Sequence, residues 1–258
     1  MHIVAVHGWQ IPESEVAKVI SEALGILVFE ARQKVIGGGP VVLANFADPQ
    51  QAERIAEQLS QHAVPAFVLD SQAQRNRNPS FPVARFMLGE QALQLESLAG
   101  ERIELDYAGI DLLIVASCSL GQAQTRGTVT ERKFSIGKTL LAGGIPMTKK
   151  VKTEMTLSSE ERDQTLWLYT RDHKTWIFDR AALNYIGLGD ALQISRDLNF
   201  NYLRSELRRR APQAAYDDRL LRRGDLVRLL GPRLSPETDL DLAFEILARS
   251  LREQRLTG

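Results

Sequence analysis

The sequence predicts an α+β fold, built as two units and a helical tail. Three observations carry this. Residues 1–70 alternate strand-like and helix-like runs in the order β, α, β, β, α, β. A polar stretch with two prolines and two arginines, "SQAQRNRNPSFP" (71–82), separates them from a series of short β-like segments. Residues 211–258 then read as helix. The chain has 258 residues, 44% hydrophobic and 25% charged, which is ample for a sizeable core.

The elements follow in order. "HIVAVHG" (2–8) reads as a strand ended by Gly8. "PESEVAKVISEALG" (12–25) places Val16, Val19, Ile20 and Ala23 at i, i+3, i+4, i+7, the spacing of one helix face. Pro12 and the early glutamates suit its start, and Gly25 suits its stop. "ILVFEARQ" (26–33) and "PVVLANF" (40–46) are β-rich, and Gly37-Gly38-Gly39 between them signals a hairpin. "DPQQAERIAEQLSQH" (48–62) predicts a second helix, with Asp48 as N-cap and Pro49 at its first position. "PAFVLD" (65–70) closes a βαββαβ order, which is the ferredoxin-like pattern.

After the expected linker, "VARFML" (83–88), "ALQLES" (92–97), "RIELDY" (102–107) and "IDLLIVASC" (110–118) read as strands. "TLWLYT" (165–170) and "KTWIFD" (174–179) form a hairpin around Arg171-Asp172-His173. Ser195 or Asp197 caps a helix over 197–210 whose face carries Phe200, Leu203 and Leu207. Strands followed by one closing helix, with Trp167 and Trp176 in the strands, resemble a PH-like (pleckstrin-homology-like) barrel over residues 83–210, interrupted by an insertion at 119–164. In the tail, "AYDDRLLRRGDLVRLL" (215–230) is helical in character. "SPETDLDLAFEILARSLREQ" (235–254) carries an apolar stripe of Leu240, Phe244, Leu247 and Leu251. The phrases "ERKFSIGKTLLAGGIPMTKKVK" and "NYIGLGDALQISRDLNFNYL" resemble stretches of an uncharacterised bacterial two-domain family, a resemblance that implies no known activity.

Charge bounds the partners. The chain holds 32 basic and 32 acidic residues. Residues 1–70 are net −4, while 125–157 and 203–233 are each net +5. In the second basic segment Glu206, Asp217, Asp218 and Asp225 are interleaved with the arginines, so a solvated, self-paired face is the simpler reading and nucleic acid is disfavoured. The single cysteine, Cys118, excludes an internal disulfide framework and a Cys-rich zinc site. The N-terminus has no basic, long apolar leader, and no run spans a bilayer. A cytoplasmic protein is the expectation.

The motifs lead away from catalysis. Gly137-Lys138-Thr139 imitates the end of a phosphate loop, but Arg132 stands where the first glycine of that loop is required. His2 and His7 lie five apart on one strand and point to opposite faces. Cys118 has no neighbouring base in the sequence. No catalytic residue, cofactor or metal site is therefore assigned. The segment 125–157 reads better as a contact surface. Its apolar Phe134, Leu140 and Leu141 are flanked by Lys138, Lys149 and Lys150. The expected function is a non-catalytic interaction or regulatory module presenting protein-binding surfaces, with a protein partner or self-association. The alternatives are small-molecule sensing through the ferredoxin-like unit, or peripheral binding of the insertion to anionic lipid.

Overall fold

The computed structural model describes residues 1–76, 80–134 and 148–257, with side chains at 1–76, 80–117 and 163–256. Met1–Cys118 and Asp163–Gly258 make up one compact unit, and Ser119–Arg162 a second. The fold is mixed α+β.

A small sheet begins the first unit. Its strands are β1 (His2–Val6), β2 (Val41–Phe46) and β3 (Ala66–Asp70), in the order β2-β1-β3, all antiparallel. Helices α1 (Glu13–Leu24), α2 (Val28–Val35) and α3 (Pro49–Gln61) cover one face. Val4 and Val6 of β1 meet Val16, Ile20, Ala31, Val35 and Leu59 there. Asp48 caps α3 by accepting from the Gln50 N–H, and Pro49 occupies the first helical position.

One expected strand is a helix. The segment 26–33 lies mostly in α2, so the sheet has three strands where βαββαβ calls for four. Its buried positions are Ala31 and Val35, four apart, which is a helical spacing. The β-rich residues that suggested a strand, Leu27, Val28 and Phe29, are exposed instead. The Leu27 N–H donates to the Glu30 carboxylate and starts the helix. The three glycines therefore join helix to strand rather than strand to strand. Gly37 and Gly38 have φ of +84° and +83°, and a Cβ on Gly39 would meet the Trp9 ring at 2.9 Å.

Ser71–Asn76, expected as linker, form helix α4. A seven-stranded mixed sheet follows. It comprises β4 (Phe81–Leu88), β5 (Ala92–Ser97), β6 (Arg102–Asp106), β7 (Ile110–Phe134), β8 (Thr148–Thr170), β9 (Thr175–Asp179) and β10 (Ala215–Asp217), in the order β10-β7-β8-β9-β4-β5-β6. The β4–β9 and β7–β10 pairs are parallel. The strand β10 begins the 215–230 segment that was expected to be helical. Strands β7 and β8 run through much of the expected insertion and supply the described part of the second unit.

Helices complete the first unit as α5 (Arg196–Arg210), α6 (Arg223–Leu230) and α7 (Leu240–Thr257). The face of α5 carrying Phe200, Leu203 and Leu207 packs on Leu113, Val115, Leu166 and Phe178 of the large sheet. The Ser195 hydroxyl caps α5 by accepting from the Asp197 N–H. Helix α7 lies between the two sheets. Its core takes Ile3, Phe67 and Leu69 from the small sheet, Leu112, Ile114 and Tyr169 from the large one, and Phe244 and Leu247 from the helix. The sequence division at 71–82 does not coincide with a break in this core. Leu242, Ala243, Phe244, Ile246, Leu247 and Ala248 are all buried, a wider apolar surface than the predicted stripe, as suits a helix covered on two sides. Its start falls later than expected because Ser235–Asp239 form a turn, in which the Ser235 N–H donates to Asp239.

Arginines on α7 tie the layers together. Arg249 reaches the small sheet, donating to the Val68 carbonyl at 3.0 Å, with its guanidinium 4.3 Å from the Phe67 ring centre. Arg252 and Arg255 reach the large sheet through Asp111, at 2.7 and 3.4 Å. Among the described residues, no helix is long and apolar enough to cross a membrane.

Candidate functional site

The residues singled out in the sequence fall as follows. Phe134, Lys149 and Lys150 lie in β7 and β8, and their side chains are outside the described residues. Lys138, Leu140 and Leu141 lie wholly outside them. His7 is buried and bonds Glu253 at 2.8 Å. His62 bonds the Gln58 carbonyl of its own helix, and His173 sits on Arg252. Among the described residues, no three of His, Cys, Asp and Glu gather as a metal site. Most arginines of the basic 203–233 segment meet carboxylates: Arg209 and Arg210 pair with Glu206, Arg219 with Asp217, and Arg222 and Arg228 with Asp225.

The site that the structure does build is one the sequence reading missed. It lies along β2. A strand at the edge of a sheet presents a row of unpaired N–H and C=O groups, and proteins commonly blunt such edges. The small sheet has two edges. On β3, the Ala66 N–H donates to the Ser60 hydroxyl at 3.2 Å, and the Val68 carbonyl accepts from Arg249. Side chains thus occupy that edge. On β2, the backbone of residues 41–46 makes no described hydrogen bond beyond those to β1. The chain that passes nearby is the end of α6. There Gly231 approaches so closely that its Cβ would lie 3.3 Å from the Val42 carbonyl, and the next residue, Pro232, has no N–H to offer.

A groove of about 280 Å³ runs along this edge. Leu24, the last residue of α1, with Ile26 beyond it, and Leu230, the last residue of α6, with Pro232 beyond it, give it apolar walls. The Asn45 side-chain carbonyl is buried in it without a hydrogen-bond partner among the described residues. Leaving such a group unmet costs about 1–3 kcal/mol. Lys34 and Arg233 supply the only charges of the lining, and neither makes a described ion pair. Ile26 leads directly into Leu27 and Phe29, each 69% exposed. The assembly therefore offers a strand edge that is buried at Val41–Leu43 and half-buried at Ala44–Phe46, an orphan amide, two cations and an adjoining apolar surface.

These parts come from four separate stretches, which is why no local motif announced them. The strand 41–46 was legible. Its position at an edge was not, because that depends on which strand takes the centre of the sheet. A second exposed apolar surface, formed by Ile186, Leu192, Ile194 and Leu198, lies on the run into α5. Asp190, Arg196 and Asp197 are interleaved with it, and no groove runs along it among the described pockets.

Compared with known proteins, the chain matches no family model, no curated protein and no solved structure.

Proposed function

We propose that this protein is a non-catalytic interaction module which takes an extended, acidic segment of a partner protein onto the β2 edge. Strand addition supplies main-chain hydrogen bonds to the incoming segment, and flanking pockets choose its side chains. The observation that carries this reading is the contrast between the two edges of one sheet: Ser60 and Arg249 hydrogen-bond the β3 edge, while no described side chain hydrogen-bonds the β2 edge, which is half-buried at Ala44–Phe46. The charge of the partner follows from Lys34 and Arg233, which line the groove with no acid among its other residues. Leu24 and Ile26 receive apolar side chains at alternate positions of the segment.

A randomised peptide library displayed on phage and selected against the whole chain tests this. Enriched peptides are expected to carry Asp or Glu with alternating apolar residues. Combined reversal of Lys34→Glu and Arg233→Glu is expected to weaken a selected peptide by about tenfold or more, since like charges then face each other. An absence of enriched acidic peptides, or binding that survives the double reversal unchanged, contradicts the proposal.

A further inference from the structure

The large sheet ends on an open edge of its own. Its last strand is β6, which pairs with β5 on one side only. Among the described residues, the backbone of 102–106 makes no hydrogen bond beyond those to β5. No residue of this strand is buried: Arg102, Glu104 and Asp106 are exposed, and Ile103 and Leu105 are half-buried.

The bonds at the two ends of the hairpin show which backbone groups point outward. The Ser97 N–H donates to the Glu101 carbonyl at 2.9 Å, and the Tyr107 N–H to the Gln91 carbonyl at 3.4 Å. Both pairs continue the β5–β6 register, so Glu101 and Tyr107 are hydrogen-bonded positions. Along an antiparallel pair such positions alternate with non-bonded ones. Ile103 and Leu105 therefore turn their N–H and C=O groups to β5. Arg102, Glu104 and Asp106 turn theirs to solvent, and a strand added here bonds to those three.

Charge selects the added strand. Arg85 of β4, Glu96 of β5 and Arg102 of β6 are direct cross-strand neighbours. Glu96 accepts from Arg85 at 3.4 Å and from Arg102 at 2.9 Å. The ladder alternates in sign, so the next strand should set an acid opposite Arg102. Arg102 engages Glu96 through Nε alone, and its side chain is 81% exposed. Glu104, two residues on and on the same face, makes no described ion pair.

A second β6 supplies that acid. A two-fold pair is isologous, with each residue of one copy meeting the same partner in the other. Outward-facing residues must pair with one another, which leaves few registers. Centred on Arg102, two arginines face each other; centred on Glu104, two glutamates do; centred on Leu105, Glu104 faces Asp106. Like charges directly opposite are destabilising. Centred on Ile103, Arg102 of each copy faces Glu104 of the other, and the two Ile103 side chains meet. We infer that the chain forms a symmetric dimer by joining two β6 strands antiparallel about Ile103, so that the large sheet continues into a second copy. This surface is separate from the β2 groove and stands or falls without it.

The test is analytical ultracentrifugation of the whole chain across the micromolar range, with residue-resolved amide exchange at low and high concentration. A dimer is expected, and the Arg102 and Glu104 amides are expected to slow as concentration rises. Arg102→Glu and Glu104→Lys are each expected to weaken it at least about tenfold, because each sets like charges face to face twice. Both side chains are exposed, so neither change is expected to unfold the chain. Mixed together, the two variants are expected to form a heterodimer, since opposite charges again meet in both pairs. Four results overturn the inference: a chain monomeric throughout the range, a dimer indifferent to both reversals, variants that associate no better mixed than apart, or concentration-dependent protection confined to other residues.

Discussion

The two edges of the small sheet are built from similar strands and treated differently. On β3 a connected set of side chains occupies the edge. His7, just past β1, bonds Glu253 of α7, and Glu253 bonds Arg249 at 2.8 Å. Arg249 then reaches the Val68 carbonyl and lies over Phe67, whose ring centre is also 5.5 Å from that of His7. On β2 no described side chain hydrogen-bonds the backbone, and the two nearby cations, Lys34 and Arg233, have no described acid to hold them. The contrast teaches that an open edge in this molecule is a local choice. The fold contains the means to close an edge and applies them on one side only.

The comparison is broken most forcefully by removing the β3 cover. Arg249→Ala deletes the donor to Val68 and the cation over Phe67. We expect a loss of about 1–3 kcal/mol, read as a lower urea midpoint, together with concentration-dependent self-association as a second edge opens. Lys34→Ala, on the uncovered side, is expected to change stability by less than about 0.5 kcal/mol. Equal losses from the two changes mean that the edges do not differ as described.

A smaller effect comes from pH. Burial holds the His7 pKa below its ordinary value, against the opposing pull of Glu253, and Arg249 adds to the lowering. The geometry gives the reason. Nε2 donates to Glu253, while Nδ1 is buried without a partner among the described residues, so a second proton would place a donor where no described group accepts it. The unfolded chain therefore binds this proton more readily than the native one. Stability from this group is fully present above the unfolded value of about 6.5 and declines as pH falls from there toward the lower folded value. Urea midpoints measured on either side of this window should show the decline, and His7→Gln should flatten it. A midpoint that rises on acidification through the window means the Glu253 pair outweighs burial.

Much of the architecture was legible in the sequence where a local pattern met a local cause. Asp48-Pro49 and Ser195 marked helix starts because their side chains or ring satisfy the first turn by themselves. Trp167 and Trp176 marked strands of the large sheet. The failures have non-local causes. Leu27, Val28 and Phe29 suggested a strand by composition, but contacts of Ala31 and Val35 with α1 and the sheet decided for helix. Residues 215–217 joined β7 as a parallel strand, a pairing across more than a hundred residues that no local period encodes. The apolar tail helix was found, but its place between two sheets was not, because the buttressing partners Phe67, Asp111 and Tyr169 come from three distant segments. The groove along β2 was invisible for the same reason: Lys34, Asn45 and Arg233 converge only once the chain is folded.

Amide hydrogen exchange, resolved residue by residue, tests the central claim most directly. In the free chain, the β2 amides directed away from β1 should exchange at least about tenfold faster than the Ala66 amide, which is bonded to Ser60. Adding a selected acidic peptide should slow those β2 amides and leave the β3 edge unchanged. If the β2 amides are already as protected as Ala66 in the free chain, or if the peptide protects residues elsewhere, the open edge is not where this protein meets its partner.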